Sequence, residues 1–71
     1  MKIVWYEQDC IHEGADIDAT FESISKDDIK AFCDDEYDKH EVILDYEDDK
    51  VKIFQAIEID EGESCKFVCI K

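Results

Sequence analysis

From His40 onward, three apolar segments follow one another with almost no chain between them: HEVILDYE (40–47), VKIFQAIEI (51–59) and SCKFVCIK (64–71). Each has the length and the β-branched, alternating composition of a strand, and the intervening DDK and DEGE are turn sequences, the second around Gly62. Connections this short join antiparallel neighbours, so the half of the chain after residue 40 is predicted as a three-stranded meander.

The preceding residues supply the other elements. KIVWYEQ (2–8) has strand composition, with Ile3 and Trp5 on one side and Val4 and Tyr6 on the other. DCIHEGA (9–15) is predicted as a loop, with Gly14 at a positive φ. DIDATFES (16–23) alternates: Ile17, Ala19 and Phe21 point in while Asp16, Asp18, Thr20 and Glu22 point out, the pattern of a half-buried strand. A helix is predicted over about 26–36. Ser25 is its N-cap with Asp28 three positions on, Ile24 and Ile29 form a hydrophobic staple, and Asp27 and Asp28 suit the positive helix start. Ile29, Phe32, Cys33 and Tyr37 make one apolar stripe.

The order is ββαβββ, an α+β class: a single five-stranded antiparallel sheet with one helix packed on one face, forming one acidic domain over residues 1–71. In the meander Val42, Leu44 and Tyr46 share a face, as do Val51, Ile53, Ile57 and Ile59, and as do Cys65, Phe67 and Cys69. One helix covers one face only. Val4, Tyr6, Ile43, Phe54, Ala56, Val68 and Ile70 then form a second apolar face, either a partner or dimer surface or one buried by sheet curvature.

Charge narrows the function. Twenty-one acids stand against eight lysines with no arginine, a net charge of −13. Such a surface repels nucleic-acid phosphates and anionic membranes, so neither is an expected partner. Eight aromatics, no proline and two glycines argue for a folded chain rather than a disordered one. No secretory signal or span of about 20 apolar residues is present, and a cytoplasmic location with reduced cysteines is expected.

Metal and catalytic patterns are weak. Cys10, His12, Cys33, His40, Cys65 and Cys69 lack the close pairing of a structural zinc site. Cys65 and Cys69 would sit about 13 Å apart on one strand. A calcium loop begun at Asp34 fails where it meets Lys39 and Asp45 in place of glycine and glutamate. No nucleophile elbow or phosphate-binding loop is present. The expectation is therefore no catalytic residue, no metal and no cofactor.

The acids themselves remain. Asp34, Asp35, Glu36 and Asp38 follow the helix, where the macrodipole disfavours them. Glu47, Asp48 and Asp49 occupy the first turn, Asp60, Glu61 and Glu63 the second, and Asp16, Asp18 and Glu22 the segment 16–23. On one strand face, carboxylates repeat about every 6.6–7 Å, comparable to successive phosphates. A basic groove built for DNA or RNA would accept them as a decoy. The predicted partner-binding set is Asp16, Asp18, Glu22, Asp34, Asp35, Glu36, Asp38, Glu47, Asp48 and Asp49. In size and charge the chain resembles the phage-encoded anti-restriction and anti-CRISPR inhibitors. That resemblance implies a non-enzymatic inhibitor of a basic nucleic-acid-binding protein, acting in the host cytoplasm; an immunity protein for a nuclease is the near variant. The alternative is a small homodimeric interaction module using the second sheet face, with Trp5, Tyr6 and Phe54 as anchors and acidity serving solubility.

Overall fold

The three segments after residue 40 pair as an antiparallel meander. In the computed structural model, which describes residues 1–7 and 10–71, they are β3 (His40–Glu47), β4 (Val51–Glu58) and β5 (Ser64–Ile70). β1 (Lys2–Glu7) lies antiparallel against β5, with Ile3 opposite Cys69 and Trp5 opposite Phe67. Gln8 and Asp9, included in the predicted strand and loop, lie outside the described residues, as do the side chains of Cys10 and His12.

The predicted five-stranded sheet with a strand at 16–23 is overturned. Four of the strands run antiparallel in the order β1-β5-β4-β3. The segment read as a loop instead forms β2 (Cys10–Asp16), which lies along the outer edge of β1. The α+β class stands. Residues 17–23 are bends and turns because their polar groups bond locally. The Ser23 and Ile24 amides donate to the Thr20 carbonyl at 3.2 and 2.9 Å, and the Thr20 amide donates to Ser23 Oγ at 3.0 Å. Serine and threonine side chains compete with a ladder in this way. The alternation was real but belonged to a connection laid against the core, into which Ile17 and Ala19 pack.

Gly14 also departs from the expected conformation. Its φ is not positive; it sits in β2 where the register slips by one residue between Lys2 and Val4 of β1. A Cβ there would stand 2.1 Å from the Ile3 carbonyl oxygen, so the bulge admits only glycine. Gly62, with φ +72°, is the glycine that needs the left-handed region, in the turn before β5.

The helix, α1 (Lys26–Cys33), starts as predicted and stops earlier. Ser25 donates its amide to Asp28 Oδ2 at 2.8 Å and its hydroxyl to the same oxygen at 3.1 Å. Asp34 is the C-cap, in extended backbone, so the acids that follow are outside the helix. Tyr37 lies beyond the apolar stripe and is 79% exposed.

The core lies between α1 and one sheet face. Ile3, Ile29, Phe54 and Cys69 are fully buried, joined by Ile24, Val42, Ala56 and Phe67. Trp5, Phe32 and Phe67 meet ring to ring at 5.4–6.2 Å between centroids. The phase of β4 is the reverse of the predicted one: Lys52, Phe54 and Ala56 face the helix, while Val51, Ile53 and Ile57 face away. Each phase is mostly apolar, one broken by Lys52 and Glu58 and the other by Gln55, and periodicity cannot choose between them. Lys52 is buried because its ammonium reaches the carbonyls of Ile24 and Glu22 at 3.3 and 3.4 Å and lies over the Phe21 ring. A bulge at Asp45 similarly moves Tyr46 to the face opposite Val42 and Leu44, pairing it with Ile53.

Candidate interaction surface

Strand direction sorts the acids into two poles. The end of β3, the start of β4 and the ends of β2 and β5 lie at one end of the sheet; the C-terminus of α1, the start of β3 and the β4–β5 turn lie at the other. An eight-residue strand holds the poles roughly 25 Å apart. The predicted contact residues therefore do not form one strip. Asp16, Asp18, Glu22, Glu47, Asp48 and Asp49 belong to the first pole, and Asp34, Asp35, Glu36 and Asp38 to the second.

Two acids of the first pole are paired with lysines. Glu22 pairs with Lys71 at 3.1 Å, and Glu47 Oε2 stands 3.9 Å from the Lys52 ammonium. Phe21, Glu22, Glu47, Asp48, Asp49, Lys52 and Lys71 line one open depression. Asp48 organises the β3–β4 turn: its Oδ1 accepts the Lys50 and Val51 amides, each at 2.8 Å, and its Oδ2 accepts the Tyr46 hydroxyl at 2.9 Å. Those bonds hold its pKa below the usual carboxylate range, the Lys50 amide most.

Two acids of the second pole have the same local duty, which explains their place after the helix. Asp35 Oδ1 accepts the Tyr37 and Asp38 amides at 2.8 and 2.7 Å, an Asx turn that lowers its pKa. Asp34 accepts Lys30 Nζ at 2.5 Å and the His40 amide at 2.8 Å, and lies 3.2 Å from His40 Nδ1; the lysine bond chiefly lowers its pKa. Asp34, Asp35 and Asp48 are thus structural acids as well as surface charge. Beside Asp34, burial and its negative charge push the Cys33 thiol up to about 11.

The remaining acids of this pole differ in kind. Glu36, Asp38, Asp60, Glu61 and Glu63 are exposed and Glu58 is half-buried. Carboxylate oxygens of Glu58, Glu61 and Glu63 lie within 4.8 Å of one another. Among the described residues no lysine lies within ion-pairing distance of them. Burial raises the Glu58 pKa first, and the charges of Glu61, Asp38 and Glu63 raise it further. Glu58 was absent from the predicted set because it reads as the polar end of a strand. The turn that bonds Glu58 to Glu63 (N–H to carbonyl, 2.7 Å) and Gly62 to Glu58 (2.8 Å) folds the three acids together.

Between the poles, the sheet face away from α1 carries an apolar patch beside Gln55 and Lys66. Cross-strand partners place Val4 beside Val68, Ile53 beside Val68 and Tyr46, and Val51 beside Ile70. The predicted second face is thus corrected in membership: Phe54 and Ala56 are core, and Val51, Ile53, Ile57 and Tyr46 take their place. Ile70 is 64% exposed and Ile43 and Tyr46 are also open to solvent. Among the described residues no helix is long and apolar enough to cross a membrane. No protein-family model, curated protein or solved structure matches this chain.

Proposed function

We propose that this protein is a non-enzymatic inhibitor that places an acidic surface in the basic, nucleic-acid-binding groove of another protein, of the nuclease, restriction or CRISPR-effector class. The observation that carries the reading is the uncompensated pole of Asp38, Glu58, Glu61 and Glu63. Burial first, and then the like charges crowded there, raise the Glu58 pKa, so its ionised carboxylate is unfavourable in the isolated chain. A partner supplying lysine and arginine removes that repulsion on binding, and the same field speeds encounter. At the first pole, about 25 Å away, Glu47 and Glu22 are already paired with Lys52 and Lys71 and contribute less.

The test is competition. Purified basic nucleases and CRISPR or restriction effectors are loaded with a labelled oligonucleotide and titrated with the protein at several salt concentrations. The expected result is displacement that weakens steeply with salt and is abolished by Glu58→Lys, Glu61→Lys and Glu63→Lys together. Inhibition untouched by that triple change would refute the assignment.

The open sheet face favours a second reading, a homodimer through Val4, Ile53, Ile57, Val68 and Ile70. Sedimentation would show a dimer insensitive to salt and dissociated by Ile53→Asp.

A further inference from the structure

The C-terminus of α1 assembles a second group of side chains that the proposed inhibition does not use. Cys33 Sγ, a carboxylate oxygen of Asp34 and a ring nitrogen of His40 all lie within 4.8 Å of one another. We propose that Cys33, Asp34 and His40 bind a divalent transition-metal ion, with zinc the best match and water in the fourth position. The sequence hid this set: 33, 34 and 40 show none of the paired spacing of zinc motifs, and it is the tight Asp35 turn that folds His40 back onto the helix end.

The donor chemistry selects the ion. One thiolate, one imidazole and one carboxylate are ligand types that zinc accepts together, whereas calcium and magnesium require oxygen. Bonds of about 2.0–2.3 Å at a tetrahedral ion set donors about 3.3–3.7 Å apart. His40 Nδ1 and Asp34 Oδ1 already stand at 3.2 Å. Cys33 Sγ lies within 4.8 Å of these donors and would give up its bond to the Ile29 carbonyl, 2.9 Å away, to bind the ion.

The surroundings hold these ligands in place. Lys30 Nζ occupies Asp34 Oδ2, and the His40 amide steers Oδ1 toward the other two donors. Glu58 lies opposite His40 in the β3–β4 ladder and lines the same small pocket as His40, a carboxylate of the kind that orients a metal-bound imidazole. Charge also balances: on binding, the Cys33 thiol releases one proton to solvent, and its thiolate with the Asp34 carboxylate offsets the two positive charges of the ion.

The test uses the full reduced chain, stripped of metal and titrated with Co²⁺. The expected result is saturation at one equivalent, with a thiolate-to-cobalt charge-transfer band and the visible bands of four-coordinate cobalt, both lost on adding Zn²⁺. Cys33→Ser removes the thiolate band while its metal-free circular dichroism matches that of the parent, and Cys65→Ser keeps the band. Should Cys33→Ser fail to fold, His40→Asn serves instead, lowering cobalt affinity by about tenfold or more. Cobalt binding without a thiolate band, a band that survives Cys33→Ser, or unchanged affinity in His40→Asn would overturn the proposal.

Discussion

Replacing Lys52 with methionine keeps the length of the buried stem and removes only the ammonium. In the folded chain that ammonium donates to the Ile24 and Glu22 carbonyls at 3.3 and 3.4 Å and lies 5.2 Å from the Phe21 ring centre. Hydrogen bonds from a charged donor contribute about 1.5–3 kcal/mol each, the lower figure applying at these lengths. The cation–π contact adds about 0.5–1 kcal/mol. Methionine avoids desolvating a cation, which returns on the order of 1 kcal/mol against that loss. The expected net destabilisation is about 2–3 kcal/mol. A chain of 71 residues has roughly 4–11 kcal/mol of stability in total, so the effect is large. The midpoint of thermal unfolding should fall by roughly 10–20 °C, at about 4–8 °C per kcal/mol. Urea unfolding followed by the fluorescence of Trp5, the sole tryptophan, measures it directly. Lys66→Met is the control, because it changes net charge equally at an exposed residue whose carboxylate neighbour, Asp45, is 3.8 Å away. If Lys52→Met were within about 0.5 kcal/mol of Lys66→Met, the buried bonds would contribute nothing and the reasoning would fail.

Three further outcomes follow from the same structure. Gly14→Ala should destabilise by about 1–3 kcal/mol in urea, because its Cβ would meet the Ile3 backbone, which cannot rotate away. Gly62→Ala should cost about 1–2 kcal/mol through its left-handed φ alone, since nothing lies within 4 Å of a Cβ there, and Gly62→Asn should cost less. Glu58 has a folded pKa above its unfolded one, so its contribution to stability is present at low pH and lost as pH rises through the folded value. Glu58→Gln should therefore raise the urea midpoint at neutral pH, with a gain that vanishes below the carboxylate range.

What could be read from the sequence was whatever local chemistry determines. The Ser25–Asp28 start of α1 and the antiparallel meander needed only cap residues, alternation and short turns. What escaped depended on distant partners. A glycine at a bulge and a glycine in a loop look alike until Ile3 is seen beside Gly14. The phase of β4 turned on Lys52, which is buried only because two carbonyls and Phe21 meet it from the 17–24 connection. The acids after the helix were legible as an anomaly, but Asp34 and Asp35 proved to be turn-forming residues. The uncompensated group arose from Glu58, brought to Glu61 and Glu63 by the β4–β5 turn.

β3 is an end strand of the sheet, and Ile43, Leu44 and Tyr46 along it are exposed. A strand of that character is a template on which identical chains can stack. Glu41, Asp45 and Glu47 interrupt it, and the bulge at Asp45 bends it. Two such edges meeting in register bring like charges together, so the acidity keeps molecules apart as well as attracting a partner. Without that charge the edge becomes an adhesive strip, and replacing Glu41, Asp45 and Glu47 with their amides should sharply lower the concentration at which the protein stays clear in solution.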